Sequence, residues 1–368
     1  MSMLDSIIAA AEKYNSSDIH LSAGRKLRLR INGSLHAMGG EESILSEKTV
    51  RSIMDQTLKE SQKQRCQKLL EENGSVDYSY ETEYDGKPIR YRMQVYTSMG
   101  KPAAAMRRIS YKIPSFEDLN LPPIYQKVME NPEQKGIVIV GGETGSGKSS
   151  TLAAMVGYLG RYPEKHIVTI EDPVEYVFRN TKGLIHQREL GLDFKDYAQA
   201  LRAVLREDPN VIMIGEMRDA ETVHAAIMAA ETGHLVLTSL HTATAAWTFS
   251  RILNFFTEAE HDAVRLNLSY NLLAIMNQML LPSEKKGFGV IPATEVFVNT
   301  PSVRQYLRDE EKESQLSDVI KDGSDGMHSY NMSLARLINE EHIGVSSAKA
   351  YSHHPEELEM LVKVTKNE

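Results

Sequence analysis

The most specific chemistry in the chain lies in one short stretch. Gly142-Glu143-Thr144-Gly145-Ser146-Gly147-Lys148-Ser149, followed by Ser150, has the glycine spacing that lets backbone N–H groups turn inward around a polyphosphate. Lys148 supplies a point charge for β/γ oxygens, and Ser149 a hydroxyl for the magnesium that bridges them, so ATP and Mg2+ are the expected cofactors. Two apolar runs end in carboxylates: Ile167–Ile170 leads into Glu171-Asp172, and Val211–Gly215 leads into Glu216. Alone, such a glutamate reads as a helix cap or a solvated residue. Beside a phosphate loop it reads as catalytic, because ligands of open α/β sheets sit beyond the carboxyl ends of the strands. Glu216 is the preferred residue for orienting the attacking water and assisting Ser149 at the metal, with Glu171 as the alternative. His241 ends the run that starts at Leu235 and is placed to sense the γ-phosphate by hydrogen bonding. A metal role for His234 or His241 is disfavoured, since neither has a cysteine-rich or clustered histidine partner, and His353-His354 read as solvated surface.

These residues need a scaffold, and the hydrophobic pattern describes it. Ile137–Val140, Ile167–Ile170, Val211–Ile214 and Leu235–Thr238 are short β-branched-rich runs separated by helical stretches, which predicts an α/β core of buried, mostly parallel strands. A helix with Leu152, Met155, Val156 and Leu159 on one face follows the phosphate loop. Upstream, Leu4, Ile7, Ile8 and Ala11 predict a helix ending near Tyr14, and Leu27–Ile31 and Ile89–Tyr96 alternate as strands. In the second of these Ile89, Tyr91, Met93 and Val95 share a face, which leaves Arg90, Arg92 and Gln94 on the other, expected exposed. The prolines of 112–123 read as a linker, and beyond Thr300 the apolar spacing is helical. The domains expected are therefore 1–113, a linker 114–122, an ATPase core 123–299 and a helical region 300–368.

Composition narrows the function. Forty-two Lys and Arg against 50 Asp and Glu give a net charge of −8, and no basic or aromatic stripe stands out, so direct nucleic-acid binding is not expected. Cys66 is the one cysteine, which excludes an internal disulfide and any zinc site of paired Cys-x-x-Cys motifs. No window reads as a signal peptide or a membrane span.

Beyond the loop, the chain carries TIEDPVEYV at 169–177, LRAVLREDPNVIMIGEMRD at 201–219 and AAETGHLVLTSLHT at 229–242. With the loop these resemble the Walker A, Asp box, Walker B and His box of the secretion-type ATPases, nearest the PilT/PilU-like type IV pilus retraction ATPases. SSDIHLSAG at 16–24 and GMHSYNMSLARLI at 326–338 resemble the terminal signatures of that family. The resemblance implies a PAS-like α+β N-terminal domain joined by a flexible linker to a RecA-like core, with six copies in a ring. It implies an ATP-hydrolysing motor for pilus retraction and twitching motility, cytoplasmic and peripheral at the inner membrane, acting on a pilus platform protein and working beside a paralogous ATPase. It carries two arginines that reach the phosphates onto Arg92 and Arg108, and a further pair onto Arg202 and Arg206, which read equally well as structural ion pairs. Extension and type II ATPases of the superfamily usually carry a four-cysteine motif and an extra N-terminal domain, so one cysteine and 368 residues lead to the expectation of a member on the retraction side. Three departures stand out: Gly215 where many P-loop ATPases have an aspartate, Trp247 after the His box, and a loose match at 300–311 to the motif that couples hydrolysis to retraction. An accessory PilU-like role or a related ATPase for DNA uptake or secretion is the alternative, and a DNA-translocating RecA-like ATPase the rival from another class.

Overall fold

The computed structural model describes residues 2–40, 43–130, 134–179 and 181–365. They form two compact units, one of 1–112 with 172–177 and 189–195, the other of 113–171, 178–188 and 196–368.

The first unit is an antiparallel sheet with three helices. Helix α1 (Met3–Lys13) opens with a capping box between Ser2 and Asp5 and buries Leu4, Ile7, Ile8 and Ala11 along one stripe. Then come β1 (Asp18–Ser22), β2 (Arg28–Ile31), β3 (Ser34–Ala37), α2 (Glu47–Thr57), α3 (Glu60–Asn73), β4 (Ser75–Tyr84), β5 (Lys87–Ser98) and β6 (Lys101–Ile109). The six strands lie in the order β3-β2-β1-β6-β5-β4. As the alternation predicts, Ile89, Tyr91, Met93 and Val95 of β5 are buried, and they pack with Ile19, Leu29, Ile53 and Met106. The opposite face is not exposed as expected. Arg90 is only 14% exposed, because segment 189–195 brings Glu189 onto it at 2.5 Å, with Glu81 at 3.5 Å. The Ser79 hydroxyl donates to the same carboxylate at 2.7 Å. Arg92 and Gln94 are half-buried.

The second unit contains α4 (Pro123–Met129), β7 (Gly136–Gly141), α5 (Lys148–Leu159), β8 (His166–Glu171), β9 (Leu184–Glu189), α6 (Tyr197–Val204), β10 (Val211–Ile214), α7 (Ala220–Glu231) and β11 (Leu235–Leu240). It continues through α8 (Ala245–Leu253), α9 (Glu258–Asn271), β12 (Leu272–Pro282) and β13 (Val290–Val298). Its sheet runs β13-β12-β7-β11-β10-β8-β9. Strands β8, β10, β11, β7 and β12 are parallel, and β13 is antiparallel to β12. Every residue of β7, β10 and β11 is buried, which is why these strands read as continuous apolar runs rather than alternations. Phe116 and Leu121, read from sequence as part of a linker, are buried in this core with Leu152, Met155 and Leu159. The chain order reverses at β7, with β11 on one side and β12 on the other, so a crevice opens at its carboxyl end.

Beyond β13 lie α10 (Arg304–Arg308), a 3-10 turn at Glu310–Gln315, α11 (Leu316–Lys321), α12 (Tyr330–Asn339), α13 (Val345–Tyr351) and α14 (Pro355–Thr365). Leu334, Leu337 and Leu358 pack there with Leu281 and Ile291.

One carboxylate joins this region to the core. Glu295 on β13 accepts from the Ala245 N–H at the start of α8 at 2.8 Å and from the backbone of Tyr330 at the start of α12. Burial pushes its pKa up to about 7, against the pull of those two hydrogen bonds and of Lys321. The folded state then holds a proton that the unfolded chain has released, so this group's contribution to stability falls as pH rises from about 4.5 to about 7. Glu295→Gln removes that titration. Its unfolding midpoint should therefore gain on the parent's as pH rises from 5 to 8, by an amount equivalent to ~2–3 kcal/mol. A pH-independent difference in calorimetric midpoints would count against the assignment.

Candidate active site

The phosphate loop joins β7 to α5. Residues Glu143, Thr144 and Gly145 are exposed, Gly142, Ser146 and Lys148 are buried, and Gly147, Ser149 and Ser150 lie between these extremes at the helix start. Two glycines have a physical reason. Gly142 sits at φ +150°, where a Cβ would lie 2.5 Å from the Gln278 carbonyl oxygen, and Gly147 caps α5 at φ +91° with a would-be Cβ 3.0 Å from Gln278 Nε2. The helix N-terminus presents its unpaired N–H groups to whatever the loop holds. Ser146 Oγ is buried and has no hydrogen-bond partner among the described residues. An orphaned donor, a ring of glycines and a buried ammonium are the fittings of a polyphosphate site, and the residues present therefore suit ATP. Ser149 at the helix start and Glu216 would hold Mg2+.

Lys148 Nζ donates to the carbonyls of Gly142 at 2.7 Å and Glu143 at 3.0 Å, and lies 3.4 Å from His241 Nδ1. His241 Nε2 is in turn 3.1 Å from Glu216 Oε2, and the other Glu216 oxygen accepts from Arg218 Nε. The ammonium can only donate, so in this geometry Nδ1 accepts and the Nε2–H donates to the glutamate. Lys148, His241 and Glu216 thus form one continuous line from the loop to the carboxylate after β10. The strand ends that carry them are neighbours in the sheet: Leu240 pairs with Gly141, and Ile214 with Thr238.

Glu171, 7% exposed, accepts from the Thr169 hydroxyl at 2.6 Å and from Gln187 Nε2 at 3.1 Å through its carboxylate. Arg92 and Arg108 belong to the other compact unit, where Arg92 faces Asp77 at 3.7 Å and Arg108 pairs with Glu12 at 2.7 Å. Arg202 makes an exposed pair with Glu221 at 2.6 Å. His234 lies 2.9 Å from the Ala229 carbonyl near the end of α7. Trp247 is 67% exposed beside His241, Arg251 and the loop residues Glu143 and Thr144, lining an open cavity of about 860 Å³.

Motif reading missed the residues behind the loop: Asn277 and Gln278 on β12, Thr151 on α5, and Arg218. The available signal was a pair of amides inside the otherwise apolar run LLAIMNQMLLP at 272–282. A buried polar pair in a central strand calls for partners.

The fold and this loop define a P-loop ATPase. The chain belongs to the type II/IV secretion system protein family, whose pattern matches residues 1–335. It is 35% identical over 350 residues to the type IV pilus retraction ATPase PilT of Pseudomonas aeruginosa, covering 95% of this chain and 98% of that one. It is 38% identical over 331 residues to a twitching motility protein of Neisseria gonorrhoeae, covering 90% and 85%. Among solved structures, the pilus retraction motor PilT with bound ADP superposes with a TM-score of 0.86 at 40% identity, covering 98% of this chain and 99% of the other. Among the described residues no helix is long and apolar enough to cross a membrane.

Proposed function

We propose that the chain is an ATP-hydrolysing hexameric motor that drives type IV pilus retraction and, through it, twitching motility. The observation that carries this reading is the Lys148–His241–Glu216 line at the switch point of the sheet, in a chain similar over nearly its whole length to a pilus retraction ATPase. In the proposed reaction Lys148 holds the β/γ oxygens, and the helix N-terminus adds its partial positive charge. The Glu216 carboxylate aligns the attacking water, while the His241 Nε2–H keeps it aimed and Nδ1, facing Lys148, leaves the ring placed to sense the γ-phosphate. Ser149 and Glu216 would hold Mg2+, which would supply charge neutralisation. The same proposal makes the chain a homohexamer at the cytoplasmic face of the inner membrane, with a pilus platform protein as its load and a paralogous ATPase as a further partner. Deleting the gene should leave cells with excess surface pili that no longer twitch. Unchanged pilus number and motility would overturn the retraction role.

Arg92 and Arg108 are proposed to add positive charge to the transition state. Each then costs on the order of 10³-fold in turnover when replaced by alanine, with nucleotide affinity changed far less. Parental turnover in both variants would remove the first unit from the reaction.

A further inference from the structure

The loop that grips the nucleotide is itself gripped from behind. Gln278 is 2% exposed and stands on β12, the parallel neighbour of β7, one residue past the Asn277–Gly141 pair. Its Nε2 donates to the carbonyl of Ser146 at 2.7 Å, inside the loop, and its Oε1 accepts from the Thr151 hydroxyl at 2.8 Å, one turn into α5. One planar amide therefore sets the distance between the loop's third quarter and the helix that follows it. The glycines make room for it: Cβ atoms on Gly142 and Gly147 would meet the Gln278 carbonyl oxygen and side-chain amide. The neighbouring Asn277 points to the opposite face, as successive strand residues must, and its Nδ2 donates to the Thr242 carbonyl at 2.9 Å beside His241. Both loops that carry the Lys148–His241 contact are tied to the same strand.

We infer that Gln278 is a positioning residue for nucleotide binding, holding the Ser146 peptide and the first turn of α5 so that the loop's N–H groups stay aimed at the phosphates. It does not touch the nucleotide. Both of its bonds are buried and neutral, and each requires a specific end of the amide: a donor toward Ser146 O and an acceptor toward Thr151. A hydrocarbon of the same volume keeps the packing and loses both. A carboxyl group in the same place supplies both only while protonated, and its burial raises the pH at which the proton leaves.

That asymmetry gives a test that mere packing would not pass. The inference rests on the reading of 142–149 as a nucleotide loop, so the parent protein must first bind a fluorescent ADP analogue. If it does not, that reading fails rather than the role of Gln278. With the parent binding at both pH 6 and pH 8, Gln278→Leu should weaken affinity tenfold or more at both values. Gln278→Glu should lie within about threefold of the parent at pH 6 and approach the leucine variant at pH 8. Thr151→Val should weaken binding less, since one bond remains, and Thr151→Ser should restore it. Parent-like affinity in Gln278→Leu would overturn the assignment, as would a Gln278→Glu variant whose loss is the same at both pH values. Should the Gln278 variants not fold, the Thr151 pair decides: equal binding by Thr151→Val and Thr151→Ser overturns it.

Discussion

Replacing Lys148 by alanine should abolish measurable ATP binding, weakening affinity at least a hundredfold while the protein stays folded. Lys148 is 9% exposed and its ammonium is held between two loop carbonyls and the His241 ring, so it meets a polyphosphate with little reorganisation. Residues 142–149 contain no second cation. Removing it deletes charge-assisted hydrogen bonds worth roughly 1.5–3 kcal/mol each and leaves the Gly142 and Glu143 carbonyls without their donor. Calorimetric titration with an ATP analogue measures the loss directly. A parent-like dissociation constant would mean that the loop's N–H groups suffice and that Lys148 serves only the loop's own fold.

Glu216→Gln should have the opposite profile, binding ATP like the parent while single-turnover hydrolysis falls by about 10³-fold. The amide is nearly isosteric, and its oxygen can still accept from the His241 Nε2–H, so the line from Lys148 persists. What it loses is the negative charge and the second acceptor. With no carboxylate to pull on the attacking water or to neutralise Mg2+, the transition state loses what the ground state scarcely uses. Normal turnover in this variant would transfer the role to Glu171, whose carboxylate would then have to leave Thr169 and Gln187.

The parts of this molecule that sequence makes legible are those whose cause is local. β7, β8, β10 and β11 are runs of apolar residues with both faces buried, and the phosphate loop carries its chemistry in consecutive residues. His241 and Glu216 can be placed because strand ends are where an α/β sheet works. The Arg90 face of β5 is a different case: alternation gives its direction correctly, but its burial depends on Glu189, a residue 99 positions away. Gln278 likewise acts through Ser146, 132 residues distant. No periodicity encodes such pairings, since they are set by which strands become neighbours. Phe116 and Leu121 escape for a related reason: prolines announce an irregular segment but not the surface on which it lies.

The division of the chain into units has a consequence for dissecting it. The backbone passes from one unit to the other at 113, 172, 178, 189 and 196, so the first unit is assembled from three separate stretches of sequence. It cannot be cut away as a contiguous fragment, because a chain ending at residue 112 would leave Arg90 and Ser79 facing the place where Glu189 belongs.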